Sequence, residues 1–212
     1  MINEKKTNAM IFNLRNNYQF TTRLQLKGEN IEVLKSTKLL GTYITDDLKW
    51  NLNTTNIVRK ANASMQILRK VASFGANLQD LKQIYFLFVR SQLEHTAPVW
   101  HSGLSAENIK DLERVQKSAV KIILGDNYLG YRESLLKLDM ETLHERRKQI
   151  CFNFASKCVN NSKTKDIFPE YEKKHQMKLR KTPKYHIQNA ATQRLKNSPV
   201  IYMQELLNNN EK

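Results

Sequence analysis

From Asn53 to Phe74 the apolar residues fall at helical spacing: Ile57, Ala61, Met65, Leu68 and Ala72. The spacing predicts a helix over 54–72, with Thr54 or Thr55 as its cap and Gly75 just past its end. A second helix is predicted over 77–93, where Leu81, Ile84, Tyr85, Phe88 and Leu93 recur. The stretch "EHTAPVWHSG" then reads as a connection. A third helix opens at Ser105, whose hydroxyl can cap it, and carries the stripe Ile109, Leu112, Val115, Ala119 and Ile122 or Ile123. "LGDNYLG" breaks it. Shorter and longer helices are predicted over 131–137 and 141–159.

Before residue 50 the period is different. "NAMIFNL", "RLQLKGENIEVL" and "TKLLGTYI" read as short strands, with "KGEN" as a turn and Gly41 as a point of close backbone approach or a bulge. Beyond Asn161 the chain is polar, basic and weakly periodic, until "PVIYMQELL" offers a helix that can dock back. The expected fold class is mainly α. A helical bundle carries a small N-terminal β element and a partly ordered basic C-terminal tail. The expected units are 1–49, 50–160 and 161–212.

Composition agrees and adds a partner class. Glycine (6) and proline (4) are too scarce for the many turns of a sandwich or barrel. The net charge of +15 and pI near 9.8 point to a polyanion, nucleic acid before an anionic membrane. The N-terminal residues lack the apolar run of a signal peptide, and no stretch of about twenty apolar residues could span a bilayer. The expectation is an intracellular protein, nuclear or cytoplasmic, not secreted, with no membrane partner.

"GTYITDDLKW" poses the question of chemistry. A Tyr-x-Asp-Asp box holds magnesium in polymerases that copy RNA into DNA. Here two residues, Ile44 and Thr45, separate Tyr43 from Asp46 and Asp47, and no aspartate precedes Asp46 to share the ions. These acids read as turn residues or as part of a helix cap. His144, Cys151 and Cys158 are spaced by seven; seven helical residues rise about 10 Å, too far for one tetrahedral ion or a disulfide, so the stripe reads as packing. Trp50 and Trp100 read as core.

The cations group on helices. Arg59, Lys60, Arg69 and Lys70 lie on the first, Arg114, Lys117 and Lys121 on the third, and Arg146, Arg147 and Lys148 near the start of the long helix. Each group is either a phosphate-binding face or a solvated one. The tail adds Lys173, Lys174, Lys178, Arg180, Lys181 and Lys184, with Tyr171 and Tyr185 able to stack on bases.

Motifs along nearly the whole chain resemble reverse transcriptases of non-LTR retrotransposons. "INEKKTNAMIFN" is similar to the family's segment just downstream of the catalytic box, with one extra spacer residue. "IEVLKSTKLLGTYITDDLKW" is similar to its Lys-Tyr-Leu-Gly strand, acidic turn and Leu-x-Trp, with Leu39 in place of the usual aromatic. "RKANASMQILRK", "IYFLFVRSQLEHTAPVW", "LERVQKSAVKIILG", "YRESLLKLDMETLHERR" and "RLKNSPVIYMQELLN" follow in the family's order, with His95 where a tyrosine is usual. The resemblance implies the last palm strands, the thumb and a C-terminal extension, without fingers or catalytic aspartates. It implies that Lys6 matches a lysine assisting nucleotide phosphates, although without an active site Lys6 reads as a solvated lysine. It implies magnesium for the full-length enzyme and no cofactor in this chain. The implied partner is RNA or DNA, as a primer–template duplex bound without sequence preference. Alternatives are a polymerase completed in trans by a palm–fingers chain, or a non-functional remnant.

Overall fold

The structure is a computed structural model and describes residues 3, 7–12, 23–171 and 183–210. It is mainly helical, with short strands confined to the N-terminal part. β1 (Asn8–Ala9) pairs in parallel with β4 (Glu32–Val33), and β2 (Gln25–Leu26) forms a hairpin with β3 (Glu29–Asn30). A longer hairpin joins β5 (Ser36–Leu39) to β6 (Thr42–Thr45), with Thr37 opposite Ile44.

The β5–β6 hairpin is pinned to the helices. Tyr43 N donates to Asn53 Oδ1 (3.1 Å), and the hydroxyls of Thr42 and Thr96 lie 2.6 Å apart. Gly41 has φ +89°, and a Cβ there would sit 2.9 Å from His95 Nε2. Its lack of a side chain admits the close approach in which His95 Nε2 meets Leu40 O at 3.1 Å.

α1 (Asn51–Ser73) starts earlier than its spacing predicts. Trp50 precedes it without a side-chain cap, and Thr54, expected as the cap, is buried one turn inside. The hairpin is the reason: Asn53 turns inward to serve Tyr43, so tertiary contact extends the helix past its local signal. Ile57, Ala61, Met65 and Leu68 form the buried stripe, and Gly75, at φ +79°, closes the end.

α2 (Leu78–Ile84) is capped by Asn77, whose side chain accepts from Asp80 N at 2.9 Å. It runs on through a π-helical turn (Tyr85–Arg90) into α3 (Ser91–Glu94). Leu81, Tyr85, Val89 and Leu93 are buried at four-residue intervals. Four residues of ideal α-helix overshoot one turn by about 40°, and the wider π turn offsets that drift. Phe88, expected on the apolar face, is instead 46% exposed.

The predicted connection after His95 is itself helical. It comprises α4 (Ala97–Trp100), with Pro98 in its first turn, and a 3₁₀ turn (His101–Gly103). α5 (Ala106–Leu124) is capped by Ser105, α6 spans Tyr131–Lys137, and α7 (Leu143–Val159) is capped by Thr142. Thr142 Oγ1 accepts from Glu145 N at 3.2 Å, as an N-cap does, and donates to Glu145 Oε2 at 2.8 Å. α8 (Gln193–Lys196) and α9 (Pro199–Asn210) follow.

Asn108 Nδ2 donates to Asn51 Oδ1 (2.8 Å) near the starts of α5 and α1. Farther along, a groove is lined by Val58 and Asn62 of α1 and by Asp111, Arg114, Val115 and Ser118 of α5. Only helices running in the same direction satisfy both pairings. The main core lies between α1, the α2–α3 rod and α5, closed from the other side by α4 and α7, with Trp50 and Trp100 buried in it. A second cluster joins Cys151, Ala155 and Cys158 of α7 to Phe168, Tyr185 and residues Met203, Leu206 and Leu207 of α9. The basic tail therefore contributes packed residues. Tyr185, expected to stack on bases, is only 3% exposed, and its backbone exchanges hydrogen bonds with the Asn208 side chain at 2.9 and 3.0 Å.

Candidate nucleic-acid interface

On α1, angular position decides what each cation can reach. Taking Ala61 as the centre of the buried stripe, and about 100° per residue, Arg59 and Lys70 lie within about 20° of the opposite direction. Arg69 and Lys60 lie about 80–100° to either side, Arg69 toward α5. The four cations therefore cover half the helix circumference rather than one narrow face. Arg59, Arg69 and Lys70 are exposed and Lys60 is half-buried. None has an acidic partner among the described residues.

On α5, Arg114, Lys117 and Lys121 are exposed, turned away from Leu112 and Ala119, which are fully buried. Arg114 Nη1 meets Asp111 Oδ1 at 2.8 Å, an exposed pair of little net strength, so the guanidinium stays open to a phosphate. Lys121 Nζ sits 5.4 Å from the centre of the Tyr128 ring. Arg114 itself lines the shallow Val58–Ser118 groove between the parallel helices α1 and α5.

The third group divides. Lys148 is exposed. Arg146 is half-buried, and its Nε donates to Glu94 Oε1 at 3.0 Å; Glu94 also meets Arg90 Nε at 3.7 Å. Arg147 corrects the expectation of a surface cation: it is fully buried, with Nε donating to His101 Nδ1 at 3.4 Å and its guanidinium 5.7 Å from the centre of the Trp100 ring. It cannot meet a ligand on the surface. Leu143, Cys151 and Ala155 bracket Arg147 at four-residue intervals, a spacing that places it in the buried stripe and could have revealed this.

Lys6 and Lys181, with Lys173, Lys174, Lys178 and Arg180, lie outside the described residues. Tyr171 is 39% exposed and stacks on His186, with ring centres 6.2 Å apart. Lys184 is exposed beside it.

In "GTYITDDLKW" the Asp47 side chain closes a turn. Asp47 Oδ1 accepts from Thr45 Oγ1 (2.7 Å) and Lys49 N (3.1 Å), and Oδ2 meets Lys49 Nζ at 3.2 Å. Burial raises the Asp47 pKa, but these hydrogen bonds and Lys49 outweigh it and leave the pKa below its usual value. Its carboxylate is committed to protein donors, and Asp46 N donates to Lys35 O at the end of the same hairpin. This donor set does not fit a two-magnesium site.

Cys151 and Cys158 are buried free thiols, and burial pushes the Cys151 pKa up to about 12. His144, expected in their stripe, is exposed instead and faces His101, with ring centres 5.1 Å apart. Burial, with Arg147 and His144 nearby, lowers the His101 pKa to about 3. No known family, curated protein or solved structure matches this chain in sequence or fold comparison.

Proposed function

We propose that the chain is the C-terminal part of a non-LTR retrotransposon reverse transcriptase, without catalytic aspartates. It holds a primer–template duplex through backbone phosphates and does not join nucleotides by itself. The order of the sequence motifs supports the family reading. One structural observation supports the binding reading: two long parallel helices present cations without an acidic partner among the described residues, Arg59 and Lys70 on α1 and Lys117 on α5, away from the core. Arg59 and Lys70 are about 16 Å apart along the axis, a reach that suits phosphates several nucleotides apart rather than one small ligand. Such contacts carry no sequence information. The test is a titration of duplexes of unrelated sequence. Comparable affinities, all weakened by Arg59→Glu with Lys70→Glu, support the reading; strong preference for one sequence overturns it.

A second reading draws on the β element. Leu39 is 58% and Leu40 86% exposed, and Val33 and Phe12 are about half exposed. A palm–fingers chain that completes the polymerase in trans would cover this apolar surface and its open strand edges. Magnesium-dependent primer extension by the mixed chains, lost on Leu40→Asp, supports it; no extension on mixing rejects it.

A further inference from the structure

A cavity of about 650 Å³ opens where the start of α1, the start of α5 and the α8–α9 junction meet the β element. Its wall is mainly apolar, with Ile44, Leu48, Trp50, Val99 and Pro199. Gly103, in the same wall, touches Trp50: a Cβ there would lie 2.5 Å from Trp50 Nε1, so a glycine is required where the 3₁₀ turn meets the indole edge. Two amides line the same cavity. Asn108 is only 7% exposed and spends Nδ2 on Asn51 Oδ1, which leaves Asn108 Oδ1 as an acceptor beside Asn51 Nδ2 as a donor. Arg194 lines the mouth without an acidic partner among the described residues, whereas Lys49 is engaged by Asp47.

We propose that this cavity takes one unpaired nucleotide. The base lies on the apolar wall beside Trp50, its polar edge meets the Asn51–Asn108 donor–acceptor pair, and its phosphate faces Arg194. Glu107, also at the rim, keeps the phosphate to the Arg194 side. A planar heteroaromatic ring with both donors and acceptors matches this wall and edge better than an acyl chain, which would leave both amides unpaired. A duplex cannot enter, so the site selects a splayed base or a free nucleotide. The inference rests on the nucleic-acid reading but uses different residues from the helical cations.

The probes are adenosine monophosphate, followed by calorimetry, and a single-stranded hexamer carrying one 2-aminopurine, followed by fluorescence. Both use the full chain. Val99→Phe narrows the mouth and Arg194→Glu reverses the phosphate partner; both residues are surface-accessible. Saturable monophosphate binding is expected, weakened about tenfold by either variant and unchanged by Lys117→Glu with Lys121→Glu. The 2-aminopurine signal should change with the native chain and not with Val99→Phe; monophosphate binding by calorimetry with no 2-aminopurine change assigns the site to free nucleotides rather than strands. Absent monophosphate binding alongside normal duplex affinity overturns the cavity inference and leaves the duplex reading standing. Octanoate binding as tightly as the monophosphate also overturns it.

Discussion

Arg147 donates from Nε to Nδ1 of His101 across 3.4 Å, with both side chains inside the protein. This arrangement removes Arg147 from any ligand-binding surface and makes it a structural residue. Its Nη1 and Nη2 are buried without protein partners, and Glu113, whose Oε2 is likewise unpaired, supplies the main opposing charge. Burial lowers the Arg147 pKa.

Arg147→Ala should therefore destabilise the fold by about 2–5 kcal/mol, since it empties a fully buried position and strips the half-buried Glu113 of its opposing charge. Arg147→Met with Glu113→Gln should recover much of that loss. Urea unfolding measures both, and the double variant should bind duplex as the native chain does.

Acid should weaken the fold through His101. Its folded pKa of about 3 lies below the usual 6.5, so between those values the unfolded chain binds the extra proton. This contribution is complete above pH 6.5 and falls by about 1.4 kcal/mol per pH unit as pH drops toward 3. His101→Asn, which keeps an acceptor for Arg147, should flatten that part of the stability–pH curve; an unchanged slope would show that other groups set it.

Gln116 should be costly to replace. Fully buried, it accepts from Tyr85 OH at 2.5 Å, and its Nε2 donates to Tyr131 OH (3.0 Å) and Glu141 O (2.8 Å). Tyr131 OH donates in turn to Glu113, and burial with that partner raises the Tyr131 pKa well above its usual value. Gln116→Leu strands these groups, at an expected cost of about 2–4 kcal/mol. Gln116→Leu with Tyr85→Phe should cost less than the single changes summed, as a double-mutant cycle would reveal.

What the sequence makes legible is what local chemistry decides. Ser105 caps its helix where the pattern places it, and α6 has its expected bounds, because caps and breakers act within a turn. The start of α1 was hidden because Asn53 is drawn inward by Tyr43, ten residues away. The interior place of Arg147 was written in the four-residue spacing of Leu143, Cys151 and Ala155, whereas that of Tyr185 depends on α9, a partner distant in the chain. Arg59 and Lys70 of α1 and the cations of α5 were readable because they lie opposite a clean apolar stripe. The cavity beside Trp50 had no local signal: Trp50, Asn108 and Arg194 meet only after folding.

The duplex reading is tested most directly by the salt dependence of affinity. The chain is titrated against a short labelled duplex at several ionic strengths, in the native form and with Lys117→Ala and Lys121→Ala. The logarithm of the association constant should fall linearly with that of salt, and the double variant should shallow the slope by about 1–2. Affinity that stays constant as salt rises, or a slope unmoved by losing both lysines, would contradict the assignment of these helices to phosphate binding.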